Sequence, residues 1–309
     1  MSGSIQSVET LHENRVSDSL NKLAATILRR SLRAVSKTLK RAATKWREDV
    51  EHVHQLRVSC RRALAAVNLF DPLIPADQAA WFRKKLKAIL SDAGKARDLD
   101  VLMREQLPRC GNAAKQIGRV WIAERRNCQK PIQTQHRKLN RKSRIRKHVQ
   151  ALMVTLADRS DASAADHHPP VSVWIRDRLS LVSDRFFQSL SEAKDIPSMH
   201  RLRIDAKRLR YTIEILKPAL EASRVQSLKR CLECLQEQLG SLQDHVVAQR
   251  HLESLLRMFQ KSRMRKTLRK LISNENAEIA HRIASFQRWF ESEAPVQLRC
   301  DIEKCLPIS

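Results

Sequence analysis

The chain has 309 residues, with 59 Lys and Arg against 33 Asp and Glu, and so a formal net charge of +26. Only 5 Gly and 10 Pro occur, too few turn formers for an all-β sandwich or barrel or a doubly wound α/β sheet. A hydrophobic content of 42% excludes a disordered polycation and supplies enough apolar surface for one or two cores.

Leu, Ala, Arg, Lys, Gln and Glu dominate, and they are good helix formers, so the expected class is all-α. Such a basic balance calls for a polyanionic partner: nucleic acid, an anionic membrane or polyphosphate. Aromatic residues are 4% with a single Tyr, which argues against a base-stacking platform. The seven Cys are odd in number and irregularly spaced, suiting a reducing compartment. No run of 18 apolar residues exists, and the N-terminus MSGSIQSVETLHENRVSDSL is polar and partly acidic. A cytoplasmic protein without a membrane span or a secretory or mitochondrial address is expected.

In chain order, helical periodicity predicts helices over about 16–46, 51–70, 76–106, 112–156, 171–193, 198–216, 221–258 and 262–290. FDPLIPAD (70–77), KDIP (194–197) and LKPAL (216–220) hold the helix breakers between them. The expected organisation is a flexible N-terminus (1–14), a first helical half (15–157), a linker (158–172), a second half (173–290) and a C-terminal tail (291–309).

The midpoint linker prompts a search for a repeat. VHQLRVSCRR (53–62) aligns with MHRLRIDAKR (199–208) at an offset of 146, pairing His54 with His200, Arg57 with Arg203, Arg61 with Lys207 and Arg62 with Arg208. Without a gap the same offset carries Gly94 onto Gly240 and Asp98 onto Asp244. It also sets Arg83 and Lys84 against Lys229 and Arg230. Two motifs sharing one offset imply a duplicated unit of about four helices, arranged as two bundles about a pseudo-twofold axis.

On the helix from Val53, Val53, Leu56, Cys60, Ala63, Leu64 and Val67 share one face, while His54, Arg57 and Arg61 lie opposite with Arg62 at the margin. The second copy sets Met199, Leu202, Ala206, Leu209 and Ile213 against His200, Arg203, Lys207 and Arg208. Stacked arginines suit consecutive phosphates, because each guanidinium offers planar two-point donation and stays charged. A solvated face is the bland alternative, weakened by recurrence of the same residues in both halves.

His54 and His200 have two open roles, contact with an anionic oxygen or a structural one. Metal ligation lacks partners, since there is no HExxH and His52 lies across the helix from His54. Asp98 and Asp244 suit a role holding arginine forks, with a Mg²⁺ site from Asp98 and Asp100 as the sharper alternative; Val246 replaces Asp100 in the second half. A Gly within a helix marks a close approach or a kink. Cys231 and Cys234 lack a second pair at zinc spacing, Cys300 and Cys305 being a poor candidate, and are expected to pack as small apolar residues. Arg29, Arg33, Lys37 and Arg41 form a further stripe, and 137–147 and 261–270 are dense basic runs without a counterpart at the offset. No P-loop, GxGxxG, GxSxG or nucleophile–base set occurs, so neither catalysis, a cofactor nor a metal is expected.

VHQLRVSCRRALAAVNLF and MHRLRIDAKRLRYTIEIL, with GKARDLDV (94–101) and LGSLQDHVV (239–247), resemble the paired motifs of the CHAD family, the conserved-histidine α-helical domain. The resemblance spans about 15–290. It implies two four-helix bundles with pseudo-twofold symmetry and a basic groove or pore that binds inorganic polyphosphate. By that resemblance His54, Arg57, Arg61, Arg62, His200, Arg203, Lys207, Arg208 and Arg210 contact the anion; Arg83, Lys84, Arg97, Lys229 and Arg230 complete the candidate set. Tyr211 and Glu214 finish an LRYxxE pattern in which Glu214 is suited to orient Arg210. The first half departs from it with Leu64, Ala65 and Asn68, and Gln243 replaces Arg97 in the second. Some relatives carry a triphosphate-tunnel domain with an ExExK pattern, which this sequence does not contain. The expected function is therefore non-catalytic polyphosphate binding in the cytoplasm, with targeting to polyphosphate granules. Nonspecific nucleic-acid binding through the two basic runs is the alternative, and a metal-dependent phosphohydrolase the third reading.

Overall fold

Long runs of helix-forming residues, punctuated by few breakers, fold as helix almost throughout. The computed structural model describes residues 3–162, 170–217, 220 and 222–305. Its elements are α1 (Gly3–Thr44), α2 (Glu51–Leu69), α3 (Ala76–Gln106), α4 (Ala114–Asn140), α5 (Arg144–Ala162), α6 (Val171–Ser191), α7 (Ile196–Leu216), α8 (Ala222–Met258), α9 (Ser262–Glu291) and α10 (Ala294–Cys305). No strand occurs among the described residues.

Three boundaries differ from the sequence expectation. Helix α1 already begins at Gly3. The stretch 112–156 is two helices, because a 3₁₀ turn at Arg141–Ser143 with Ser143 at φ 52° breaks it. The expected tail carries α10, held because Leu298 and Ile302 are buried against the second half. Of the expected linker, α5 covers 158–162 and α6 begins at Val171; 163–169 lie outside the described residues.

For the motif-bearing helices the bounds follow the sequence offset. Adding 146 to Glu51–Leu69 gives 197–215, against Ile196–Leu216 for α7. The packing is paired likewise: α1 lies on α2 and α6 on α7, α2 on α3 and α7 on α8.

Three apolar clusters among the described residues hold the fold. The first draws on α1 to α5 around Leu32, Leu56, Phe82 and Leu152, and takes in Trp174 of α6, which stacks on Phe70 at 5.3 Å. The second lies among α6 to α10 around Phe186, Leu202, Leu209, Leu232 and Phe286. The third joins the far ends of the halves, with Leu99, Leu102, Ile117 and Trp121 on one side and Leu252, Leu255 and Leu268 on the other. Each fully buried Leu or Phe contributes about 1.5–3 kcal/mol. Since α2 also packs on α7, and α3 on α8, the halves meet along the helices that carry the repeated motifs.

Candidate functional site

The inward faces of α2 and α7 are as the periodicity requires: Val53, Leu56, Cys60, Ala63 and Val67 on one, Met199, Leu202, Ala206, Leu209 and Ile213 on the other, all buried. The start of α7 is fixed by a capping box, in which Ser198 N donates to Asp195 Oδ1 at 2.8 Å and Asp195 N to Ser198 Oγ at 2.9 Å. That sets the helical phase of His200, Arg203 and Lys207.

Packing α2 on α7 gathers Arg57 and Arg61 from one half with Arg203 and Lys207 from the other. All four are half-buried, and they feel one another. Burial, followed by the charges of Arg203, Arg61 and Arg57, pushes the Lys207 ammonium down to about 6, with Asp244 opposing. Burial and then Arg61 lower Arg57 to about 10, with Asp98 opposing. Arg203 is lowered by burial and by Arg61, against Asp244 and Asp98, and its buried Nε has no hydrogen-bond partner. His54 sits at the edge, 3.9 Å from Glu51. Burial lowers its pKa against the upward pull of Glu51, with Arg97, Arg57 and Arg61 acting in the same direction as burial. Like charges withdrawn from water in this way favour an anion as the missing counter-charge.

Arg57 Nη1 donates to the Leu90 carbonyl at 3.2 Å and lies over Gly94, where a Cβ would stand 2.8 Å from that nitrogen. The close approach that the glycine permits is thus a guanidinium rather than a helix backbone. Gly240 differs, for a Cβ there meets nothing within 4 Å.

Other members of the candidate set are paired elsewhere. Arg62 reaches across the halves to Glu214 at 3.2 Å. Glu214 also holds Arg210 at 3.7 Å, as its spacing implied, and Glu233 holds Arg210 and Lys229, each at 3.6 Å. Arg208 turns onto Asp205 at 2.7 Å, which also takes Arg185 and the Ser189 hydroxyl. Arg83 is drawn to Asp71 at 2.6 Å. His200 Nδ1 meets Gln243 Oε1 at 2.5 Å. Lys84 and Arg230 are exposed on α3 and α8.

Asp98 and Asp244 close no direct ion pair with a described residue; they act through space on Arg57, Arg203 and Lys207. Asp244 reaches solvent while ringed by protein, so desolvation raises its carboxyl despite Arg203 and Lys207. Behind this pair lies a cavity of about 640 Å³ between α3, α8 and α9, lined by the carboxylates of Asp98, Glu105, Glu237, Asp244, Glu275 and Glu278 with Arg104, Arg109, Arg282 and His245. Asp100 is not part of it: its carboxylate is buried against Arg125 at 2.6 Å, and Arg125 also donates to Gln129. The pairing of Asp98 with Asp100 as a metal site is thereby lost. No group of three or more metal-ligating side chains occurs among the described residues. Cys231 is half-buried against the second cluster and Cys234 is exposed.

The Leu90 carbonyl and the Arg62–Glu214 link escape sequence reasoning. The first is backbone, and the second joins residues 152 positions apart.

The profile of the CHAD domain matches residues 26–253. The fold is similar to the crystal structure of the CHAD domain from the plant Ricinus communis, with TM-score 0.64, 21% identity, and coverage of 92% of this chain and 91% of that one. It is also similar to PptA from Streptomyces chartreusis, with TM-score 0.55, 16% identity and coverage of 88% and 99%. An uncharacterized protein of Mycobacterium tuberculosis, found in two strains, is 25% identical over 210 residues, 65% of this chain and 39% of the relative's length. With its profile matched over most of its length and its all-helical fold shared, the chain belongs to the CHAD-domain family.

Proposed function

We propose that the protein binds inorganic polyphosphate, without hydrolysing it, in the groove where α2 and α7 meet. One observation carries the reading: Arg57, Arg61, Arg203 and Lys207 converge from two halves of the chain with more desolvated positive charge than Asp98 and Asp244 offset. A chain of phosphates supplies closely spaced negative charge, and its oxygens accept from donors such as the unpartnered Arg203 Nε. Membership of the CHAD family supports the same ligand, given what the sequence resemblance implies for that family. Tyr211, beside Arg210, is buried and offers no stacking face, which favours a phosphate chain over single-stranded nucleic acid. Engagement of Asp100 by Arg125 favours binding over metal-assisted hydrolysis.

The test is binding to polyphosphates of graded length beside RNA at matched ionic strength. Polyphosphate should win, with affinity falling steeply as salt rises. Replacing Arg57, Arg61, Arg203 and Lys207 together by Ala should abolish binding while helicity is kept. Unchanged affinity in that quadruple variant would sink the assignment. On this reading the protein also gathers at polyphosphate-containing granules and the variant disperses, which fluorescence imaging reads directly.

A further inference from the structure

On the outer side of the first half, α1 and α5 leave an open groove of about 650 Å³. Arg29, Arg33, Lys37 and Lys40 of α1 and Arg146 of α5 line it, all exposed, and none forms an ion pair with a described residue. No carboxylate among the described residues lines it. Its floor is apolar, with Leu32 and Val149 buried and Met153 half-buried. Along α1 the cations recur about every 6 Å, one per turn, over about 17 Å from Arg29 to Lys40. Arg30 lies beside the row, lining a neighbouring depression with Arg29 and Arg33.

This feature belongs to one half. Matching buried Leu28, Leu32 and Leu39 of α1 to Ile175, Leu179 and Phe186 of α6 sets Ser180 and Asp184 where α1 has Arg33 and Lys37. The row is broken there by a neutral and an acidic residue.

A cleft lined by one sign of charge over a low-dielectric floor concentrates the field on whatever lies in it. Packed helix axes are only about 8–10 Å apart, so the cleft between them is narrow for a nucleic-acid duplex. The lining has no aromatic ring for unpaired bases, and the floor is recessed from any flat lipid surface. An extended phosphate chain meets all of these conditions. We propose that the α1–α5 groove is a second polyphosphate site, separate from the α2–α7 groove. The ligand chemistry rests on the function proposed above; the location does not. Two grips on one molecule let it hold a long chain twice, or join two chains, so apparent affinity rises with chain length beyond what either site gives.

Calorimetric titration with a polyphosphate too short to span both grooves tests this. The wild type should take up two chains per molecule. Arg33→Glu/Lys37→Glu should take up one, with the affinity of the α2–α7 site retained, and the quadruple Ala variant of that site should take up the other. Arg33→Gln/Lys37→Gln guards against a folding artefact, since two exposed neutral substitutions leave the core alone; it should weaken the outer site about tenfold while helicity stays unchanged. With long polyphosphate, light scattering from cross-linked chains should fall in both α1 variants. Two chains still bound by Arg33→Glu/Lys37→Glu would overturn the outer site. So would a wild type that saturates at one chain lost in the quadruple variant, an outcome that leaves the α2–α7 assignment standing. Full binding by the quadruple variant with none by Arg33→Glu/Lys37→Glu would instead uphold the outer groove and refute the central one. An acidic amphipathic peptide that binds the α1–α5 groove and is not displaced by polyphosphate also overturns the proposal.

Discussion

In the first half, Arg57 donates to a backbone carbonyl and fills the space above Gly94; in the second, Arg203 holds the matching position with its Nε unpartnered, and the space above Gly240 is empty. Arg62 crosses to Glu214, whereas its counterpart Arg208 turns away to Asp205. His54 lies among arginines, and His200 is held by Gln243, the residue that stands where the first half has Arg97. Equal residues at equal positions therefore do unequal work. The first copy is braced by its own backbone, and the second keeps a donor free. A repeat in sequence specifies helix phase and charge, while the neighbours decide which donors remain for a ligand.

The sharpest way to break that comparison is to remove each arginine in turn. Arg203→Ala should weaken polyphosphate binding by about 1.5–3 kcal/mol, tenfold or more, as expected for a charge-assisted hydrogen bond. Arg57→Ala should cost less, because part of its donor capacity goes to Leu90. Equal losses by titration calorimetry would remove the asymmetry.

Next is pH. Lys207 is pushed down to about 6 in the free protein, and a bound anion restores its proton. Affinity should therefore rise as pH falls from 8 towards 6, by at most about tenfold per unit for one proton, and level off below. Lys207→Arg, which stays charged, should flatten that profile. Stability runs the other way. Between about 6 and the ordinary ammonium value the unfolded chain holds a proton that the folded chain lacks, so stability should grow with pH across that window. Thermal melts of wild type against Lys207→Met check this, with the variant losing the slope.

Glycine substitutions probe the same asymmetry more gently. Gly240→Ala adds helix propensity in open space and should stabilise by up to about 1 kcal/mol with affinity unchanged. Gly94→Ala should displace the Arg57 guanidinium, giving less stabilisation and a loss of affinity of about two- to fivefold. The smallest effect belongs to Glu214→Gln, which loosens Arg62 and Arg210 together. For so exposed a bridge about 0.2–1 kcal/mol of stability is at stake, read from urea midpoints.

Much of this was legible beforehand. The positions that apolar spacing named on α2 and α7 are buried, Leu64 alone being less so, but spacing missed others that the neighbouring helices cover, among them Ser59, Ala66, Asp205, Tyr211 and Thr212. The paired His and Arg positions marked the helices that meet. Acid partners between helices were not legible: Arg83 with Asp71, Arg62 with Glu214 and Arg210 with Glu233 are chosen by geometry that no spacing states, whereas Asp205 with Arg208 and Glu233 with Lys229 follow helical spacing. The break at Arg141–Ser143 carries neither Gly nor Pro, so nothing in residue type announced it. Likewise, the guanidinium above Gly94 depends on how α2 lies on α3.

The carboxylate-lined chamber behind Asp98 and Asp244 bears on how a polymer sits on the molecule. On the proposed function, a phosphate chain held by the arginines meets more carboxylates than cations along that chamber, so lying along the mouth is favoured over threading onward. On that proposal the protein acts as a clip rather than a bead. A bead must find a free end, but a clip can seat anywhere along a chain, and so its loading rate should follow the total phosphate present rather than the number of chain ends.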